Sequence, residues 1–386
     1  MDKARLLKDV DEFCKELRPI EDVCYLERRY NDQLIPLAKK YNILGMHLPK
    51  EFNGRGADEY TYVKALVRIG MEGSGIRSFF SAHSSLAQKV LLKYGNDYHY
   101  ENYLKPSTRG DVILAFALTE PDAGSNPLEM RSTAKVDGEY YILNGTKYLI
   151  TNSTIADAIV VFAKTSGDRI SAFVIDTNNE YMEREELVAK MGTPTTDTGM
   201  FEMRNYKVSR EHLLGKEGDG WIIAKEALMN GRLSVAAGCV GSIKDCLLES
   251  IRYSKQRIQY GKPIAKHQLV QEHLAAIKVA LSAAKMMLMR ATILKSKWET
   301  QNPKNEELKR MADIAIAEAK LFCSNAAYEA SDRAVQIFGG RGWSYLYRVG
   351  RHFVDNRVCR IYEGSDEIIK LKIASGILGK KFRAYN

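Results

Sequence analysis

The chain has 386 residues, 45% of them apolar and 27% charged, which is typical of a globular protein with two or three domains. No apolar run approaches the ~20 residues that a membrane-spanning helix needs, and the start, MDKARLLKDVDEF, lacks the apolar segment of a secretory signal. The net charge of +9 comes from basic residues interleaved with acidic ones, which argues against nucleic-acid binding. It fits either a solvated lysine-rich surface or the attraction of an anionic substrate.

Cysteine and histidine spacing predicts neither a disulfide framework nor a metal site. The six cysteines include no CxxC pair, and the seven histidines form no HxxxH or HExxH set. We therefore expect buried, reduced thiols and no metal.

The first predicted zone, residues 1–113, is an N-terminal α-helical domain. Apolar residues recur there at intervals of three and four, the spacing of one helix face. They are Leu34, Leu37, Ala38 and Tyr41, followed by Val63, Leu66, Val67 and Gly70. Glycine-bearing segments at 52–57 and 70–75 predict breaks between helices.

The second zone, residues 114–217, consists of short β-rich runs separated by turns. The runs are ILAFALT (113–119), YYILNG (140–145), KYLITN (147–152), AIVVFAK (158–164) and ISAFVID (170–176). Turn signals stand at Asp137-Gly138, Asn144-Gly145 and Gly167-Asp168. This pattern predicts a central β-domain, either a barrel or a sandwich.

The third zone, residues 218–386, is helical again, with three long apolar stripes. The first comprises Leu233, Ala236, Val240, Ile243, Leu247 and Ile251, the second Leu269, His273, Ala276, Ala280 and Ala283, and the third Ile314, Ala317, Leu321, Ala327 and Ala330. A polar connection at 299–307 carries Pro303 and ends one helix. Long helices with short connections predict a C-terminal bundle, so the fold class is mainly α with a central β-domain.

Several short runs could carry chemistry, although each also has an ordinary structural interpretation. LTEPDAGS (118–125) fits a strand-ending loop, RIQYGKP (257–263) a solvated helix end, and Glu363 in IYEGSDEII (361–369) a solvated loop residue. QIFGGRG (336–342) is not a GxGxxG after a strand, so it does not predict a Rossmann site. In this order and at these spacings, together with KYLITNS (147–153), the runs resemble the acyl-CoA dehydrogenase family of flavoenzymes over essentially the whole chain.

The resemblance implies FAD as the cofactor and a four-helix bundle as the C-terminal domain. In that family Thr151 would contact flavin N5, the hydride acceptor, and Arg257 would bind the flavin diphosphate of a neighbouring subunit. A site shared between subunits implies an oligomer, and the resemblance implies a homotetramer, a dimer of dimers. The implied FAD-binding residues are Phe116, Ala117, Leu118, Thr119, Gly124, Ser125, Leu149, Ile150, Thr151, Arg257, Gln259, Tyr260, His267, Gln268, Gln336, Gly339, Gly340, Ser365 and Glu367.

Leu149 departs from the family pattern, because the family usually has tryptophan there, against the flavin. Either this face of the flavin is shielded differently, which would affect the approach of the redox partner, or Leu149 is an apolar filler of the same patch.

By the same resemblance, Glu363 is the base that removes the proton next to the thioester carbonyl. Burial raises the pKa of such a carboxyl group. Hydrogen bonds from the Glu363 amide and a flavin ribityl hydroxyl would stabilise the developing enolate, and Gly364 would let the backbone pass close to a ligand. The implied substrate-binding residues are Ser125, Arg232, Tyr362, Gly364, Arg77 and Ser78.

Arg77 and Ser78 lie in GSGIRSFFSAHSSLA (73–87), which resembles the glutaryl-CoA dehydrogenase branch, where an arginine holds the distal carboxylate. Alternatively, Arg77 pairs with a nearby acid such as Glu72. Gly70 stands where that branch often has a glutamate.

The implied activity is α,β-dehydrogenation of an acyl-CoA to the 2-enoyl-CoA, with an electron-transfer flavoprotein as acceptor and no nucleic-acid partner. An oxidase, a dicarboxylyl-CoA dehydrogenase, a monooxygenase and a non-catalytic flavin-binding relative are the alternatives. The expected location is the cytoplasm, or the mitochondrial matrix if a transit peptide had been removed.

Overall fold

The N-terminal third of the chain is helical. The structure, a computed structural model, describes residues 3–382 and 384. Its first helices are α1 (Lys3–Glu27), α2 (Leu34–Lys40), α3 (Glu59–Gly70), α4 (Ser74–Phe80), α5 (Lys89–Tyr94), α6 (Asp97–His99) and α7 (Lys105–Arg109). Asp58 caps α3, because its side chain accepts a hydrogen bond from the Thr61 amide at 2.8 Å.

Wider helical turns connect some of these helices. Ser81–Gln88 is a π-helical segment that joins α4 to α5, and Tyr100–Leu104 is a second one, between α6 and α7. All residues of Ser81–Gln88 are buried. The Leu114 amide donates to His83 Nδ1 at 3.1 Å, which ties the first π segment to the start of the sheet.

The middle of the chain forms one mixed sheet. Its strands are β1 (Leu114–Ala117), β2 (Thr133–Asp137), β3 (Tyr140–Thr151), β4 (Ala158–Lys164), β5 (Ile170–Asp176), β6 (Met182–Glu186), β7 (Thr198–Ser209) and β8 (Leu213–Leu214). The strand order is β6-β7-β3-β2-β4-β5-β8, and β1 runs parallel to β4. Strands β4 and β5 are buried on both faces, which explains their continuous apolar sequence.

One predicted turn is wrong. Asn144-Gly145 does not separate two strands, because β3 runs through it from Tyr140 to Thr151. The pairing with β7 shifts register between Leu143 and Gly145 instead, and Gly145 has φ +144°. The Asn-Gly pair therefore lies at a bulge, which glycine within a strand often marks.

The C-terminal part consists of long packed helices. They are α8 (Gly220–Gln256), α9 (Gln268–Gln301), α10 (Glu306–Phe338), α11 (Arg348–Asp355) and α12 (Asp366–Leu378), and the hairpin β9 (Ile258–Gln259) and β10 (Lys262–Pro263) precedes α9. The largest apolar core lies among α1, α3, α8, α9 and α10, and smaller cores cover the two faces of the sheet. The predicted mainly α fold with a central β-domain is confirmed.

The predicted apolar stripe of α9 is wrong by about one position. Leu269 is 81% exposed, and the predicted alanines are only half-buried. The buried face instead carries Ile277, Leu281, Ala284, Leu288 and Ala291. Alanine gives a weak periodic signal because it is small enough for either face.

Helices α3 and α8 cross almost in backbone contact. A Cβ atom on Gly70 would lie 2.6 Å from Gly238 Cα. A Cβ atom on Gly238 would in turn lie 2.9 Å from the Arg77 Nε atom. Glycine at these positions therefore lets α3, α4 and α8 converge around Arg77. No helix in residues 3–382 is both long enough and apolar enough to cross a membrane.

Candidate active site

A cavity of about 390 Å³ opens where the N-terminal helices, the sheet and α8 meet. Side chains from α4, the π segment, β1, β3, α8 and the loop before α12 line it. The structure brings many of the predicted site residues together here: Arg77, Ser78, Phe116, Leu118, Thr119, Gly124, Ser125, Leu149, Ile150, Thr151, Arg232, Tyr362, Glu363 and Gly364.

The remaining predicted residues do not line this cavity. Ala117 points into the core on the other face of β1, as strand alternation requires. Ser365 caps α12, and Glu367 is exposed on its first turn. The others lie around the hairpin before α9 and the end of α10: Arg257, Gln259, Tyr260, His267, Gln268, Gln336, Gly339 and Gly340.

Glu363 is the acidic residue of the cavity wall, and its carboxyl group is buried. The Oε2 atom has no hydrogen-bond partner in the described chain. Burial raises the pKa of Glu363 to about 7, while the nearby cations Arg232, Arg77 and Lys320 oppose this rise. The backbone of Glu363 has φ +57°, a conformation that costs a glutamate about 1–3 kcal/mol. Such strain at a buried, unpaired carboxyl group is typical of functional sites.

Gly231 supports Glu363, although no sequence pattern marks it as a site residue. A Cβ atom on Gly231 would lie 2.4 Å from the Glu363 Cδ and Oε2 atoms. The carboxyl group therefore lies directly against the α8 backbone, in space that only glycine leaves open.

Two buried cations contact the backbone of the same loop. Arg232 Nε donates to the Glu363 carbonyl at 2.9 Å, and Lys320 Nζ donates to the Gly364 carbonyl at 2.6 Å. Arg232 was predicted as a site residue, but Lys320 was missed. A lysine among the buried positions of α10 is the signal that could have found it, since lysine is rarely fully buried.

Arg77 is fully buried and lines the cavity. It donates to Ser78 Oγ at 3.0 Å and to the Tyr362 hydroxyl, which lies 3.1 Å from Cys359 Sγ. The alternative that Arg77 pairs with Glu72 is wrong, because Glu72 is paired with Arg18, at 2.7 Å, and with other arginines.

A buried ion pair shapes the LTEPDAGS loop. Glu120 lies 2.7 Å from Lys147 Nζ and accepts hydrogen bonds from the Arg131 and Ser132 amides. Burial lowers the pKa of Lys147 to about 8, although Glu120 opposes this. The pair holds the loop against β3, where the Tyr148 amide donates to the Thr119 carbonyl at 3.0 Å.

Glu120→Ala is expected to destabilise the fold by about 3–5 kcal/mol, because it leaves the Lys147 ammonium buried and unpaired. Urea unfolding at neutral pH measures this loss. Glu183→Ala, which removes an exposed partner of Arg204, serves as the control and should change stability by less than about 0.5 kcal/mol. Equal stability of the two variants would show that the buried pair does not hold the loop.

Leu149 lies at an irregularity of β3. The pairing of β3 with β7 shifts between Lys147 and Ile150, and Leu149 has φ +58°. Its side chain lines the cavity and remains 51% exposed. A leucine here leaves the cavity wall partly open to solvent.

Several described features fit a dinucleotide such as FAD. Cβ atoms built on Gly124, Gly339 and Gly340 would meet no atom within 4 Å, so the backbone is open to a ligand there. Arg257 has no carboxylate within 4.0 Å in residues 3–382, which leaves its guanidinium available for phosphate oxygens. No three His, Cys, Asp or Glu side chains of the described chain cluster as metal ligands do.

Three family models match consecutive parts of the chain. They are the N-terminal, middle and C-terminal domains of acyl-CoA dehydrogenase, and they match residues 2–111, 115–206 and 218–378.

Similar proteins match along nearly their full length. The "3-(aryl)acrylate reductase" of Clostridium sporogenes is 35% identical over 381 residues, 97% of each chain. The "Caffeyl-CoA reductase-Etf complex subunit CarC" of Acetobacterium woodii is 36% identical over 356 residues, 91% of each chain.

Solved structures agree with these matches. Butyryl-CoA dehydrogenase from Megasphaera elsdenii superposes with a TM-score of 0.91 and 31% identity, covering 98% of this chain and 99% of that one. A glutaryl-CoA dehydrogenase from Mycobacterium smegmatis in complex with FADH2 gives 0.91 and 27% identity, covering 100% and 96%.

Proposed function

The chain belongs to the acyl-CoA dehydrogenase family, and from this premise we propose that Glu363 is the base that removes the α-proton of its acyl-CoA substrate. The chain is an FAD-dependent oxidoreductase that acts on CH–CH groups, interconverting an acyl-CoA and its 2-enoyl-CoA. The buried carboxyl group of Glu363 in the cavity wall is the observation that carries the assignment.

The surroundings of Glu363 favour proton removal. An α-proton of a thioester is a very weak acid, so a useful base needs a pKa near neutral pH, which burial provides. The Glu363 amide donates to no acceptor in the described chain and can therefore donate to the thioester oxygen. Arg77 and Arg232 place positive charge beside the cavity, where the negative charge of the enolate would develop.

We propose that the cavity residues Thr119, Ser125 and Thr151 hold the flavin end of FAD. When bound, FAD supplies the oxidant that takes up the two electrons. The separate group around Arg257 and Gly339 would hold the diphosphate and adenylate of a cofactor on a neighbouring subunit. This division of the site supports an oligomer, for which we propose a homotetramer built as a dimer of dimers. An electron-transfer flavoprotein is the proposed redox partner, because the names of relatives mention one. The proposed compartment is the cytoplasm.

For the substrate we propose a short acyl or 3-arylpropionyl thioester, the classes to which the names of the relatives point. A dicarboxylyl-CoA is not favoured, because Arg77 already donates to Ser78 and Tyr362.

Anaerobic titration of the purified flavoprotein tests these proposals. Butyryl-, 3-phenylpropionyl-, octanoyl- and glutaryl-CoA would each be added, and the oxidised-flavin absorbance followed. Bleaching by butyryl- or 3-phenylpropionyl-CoA supports the proposal, whereas bleaching by glutaryl-CoA alone would restore the dicarboxylyl alternative. A flavin that no thioester bleaches would contradict the assignment of Glu363, and peroxide formation in air would indicate an oxidase.

The rate of flavin reduction should depend on pH through Glu363. Because the base must be ionised and its pKa is about 7, kcat/KM should rise about tenfold per pH unit below that value and level off above it. Stopped-flow reduction from about pH 5 to about pH 9 measures this limb. A flat profile would mean that another group is the base.

A further inference from the structure

The loop that carries Glu363 has an unusual backbone. Glu363 and Gly364 have φ +57° and +99°, so two consecutive residues are in the left-handed half of conformational space. The loop lies between the short helical turn Val358–Arg360 and α12. Left-handed glutamate is strained and persists only when its surroundings hold it.

The surroundings that hold this loop are side chains of α8 and α10. The Glu363 carbonyl accepts from Arg232 on α8, and the Gly364 carbonyl accepts from Lys320 on α10. These two helices pack along each other in the main apolar core. The position of the base is therefore tied to the rigid bundle rather than to the loop alone.

Lys320 makes an uncommon contact for a buried lysine. It is 0% exposed, and no carboxylate of the described chain lies within 4.0 Å of its ammonium group. Its one hydrogen bond within residues 3–382 is to the Gly364 carbonyl. The carboxylate that most favours the charged form of Lys320 is Asp366, which is itself paired with Arg360 at 2.8 Å. Burying an ammonium without a directly paired counter-ion costs free energy, so stability alone does not account for a lysine here.

We propose that Lys320 is a positioning residue for the catalytic base. Together with Arg232, it donates hydrogen bonds to consecutive carbonyls and so fixes the direction of the Glu363 carboxyl group. The inference rests on the proposed role of Glu363. Orienting the carbonyls of residues 363 and 364 fixes ψ at both, and with it the direction in which the Glu363 side chain leaves the loop. A misplaced carboxyl group would still be buried but would no longer meet the α-carbon, and small displacements of this kind are costly for proton transfer.

The charge of Lys320 also affects Glu363. The groups that face Glu363 are Arg77 on α4, Arg232 on α8 and Lys320 on α10, and further titratable groups around the loop are Cys239, Asp313, Cys359, Tyr362 and Asp366. Removing the Lys320 cation therefore raises the pKa of Glu363, because a cation favours the ionised carboxylate.

The test compares Lys320→Met with Lys320→Arg and with the control Lys295→Met. Lys295 is equally buried but pairs with Glu59 and Glu299 and does not line the cavity that contains Glu363. In the FAD-loaded enzyme, Lys320→Met should lower kcat by about tenfold or more with KM nearly unchanged. It should also shift the rising limb of the pH–rate profile to higher pH by about one unit. Lys320→Arg keeps the cation and should return the rising limb of the pH–rate profile to its wild-type position. Lys295→Met should lower stability without shifting this limb.

Hydrogen–deuterium exchange gives a readout that does not depend on turnover. In protein with or without FAD, the amides of residues 361–365 should exchange about tenfold faster in Lys320→Met than in wild type, and at the wild-type rate in Lys295→Met. Exchange and a pH limb both equal to wild type in Lys320→Met would overturn the inference. If wild-type flavin is bleached by no thioester, the role of Glu363 fails, whereas the exchange result still decides whether Lys320 holds the loop.

Discussion

Glu363→Gln is expected to slow flavin reduction by the acyl-CoA substrate about 10²–10⁴-fold, the usual contribution of a positioned general base. Glutamine has nearly the same shape but cannot accept the α-proton. The rest of the cavity is unchanged, so FAD and substrate should still bind. Anaerobic stopped-flow measurement of flavin absorbance gives the rate, and the flavin spectrum of the purified variant reports FAD content.

The matched control for this variant is Glu139→Gln. Glu139 lies in the turn between β2 and β3, its side chain is 87% exposed, and it is outside the cavity lining. It should reduce the flavin at a rate within about twofold of wild type. A Glu363→Gln enzyme that retains full FAD and reduces it at the wild-type rate would show that the proton leaves to another group.

Gly231→Ala is expected to lower the rate of flavin reduction about 100-fold without unfolding the protein. The added methyl group would occupy the position of the Glu363 carboxyl group, which lies 2.4 Å from the built Cβ atom. The carboxyl group is the mobile end of a long side chain, so it can move away at little cost, but it then no longer meets the α-carbon. Alanine is also the better helix former, so stability should stay within about 1 kcal/mol of wild type.

A double-mutant cycle with Glu363→Gln tests the cause of this loss. If Gly231→Ala acts by displacing the base, it should add little to the loss already seen in Glu363→Gln. Fully additive losses would mean that the methyl group acts on substrate or flavin instead. Thermal unfolding of the single variant separates either outcome from a folding defect.

The order of helical and strand-rich zones could be predicted from apolar periodicity, but individual positions could not. The stripe on α8 has large residues such as Leu233 and Val240, and these are buried as predicted. The stripe on α9 was placed on alanines, and the buried face lies one position away. Strand β6 (Met182–Glu186) was not predicted, because four of its residues are charged and exposed, and such a strand has no apolar alternation.

Site residues that belong to a sequence motif could be predicted. Residues that reach the site only through the packing of helices could not. The runs around Thr119, Thr151 and Glu363 meet in one cavity although they are far apart in sequence. Gly231 and Lys320 could not be found in this way. Their importance depends on the path of the Glu363 backbone between two helices, which no local sequence pattern encodes.

The π-helical segment Ser81–Gln88 constrains the number of residues in this part of the chain as well as their identity. Each π-helical turn holds one residue more than an α-helical turn, because its hydrogen bonds join residues five apart. Deleting one residue there would therefore let the segment become α-helical with α4 and α5 nearly in phase. Ser81, Ala82 and Leu86 of this segment line the cavity, so the deletion would change which side chains face it. Among homologues, we expect single-residue gaps to be tolerated in surface turns such as Gly138 and to be selected against between residues 81 and 88.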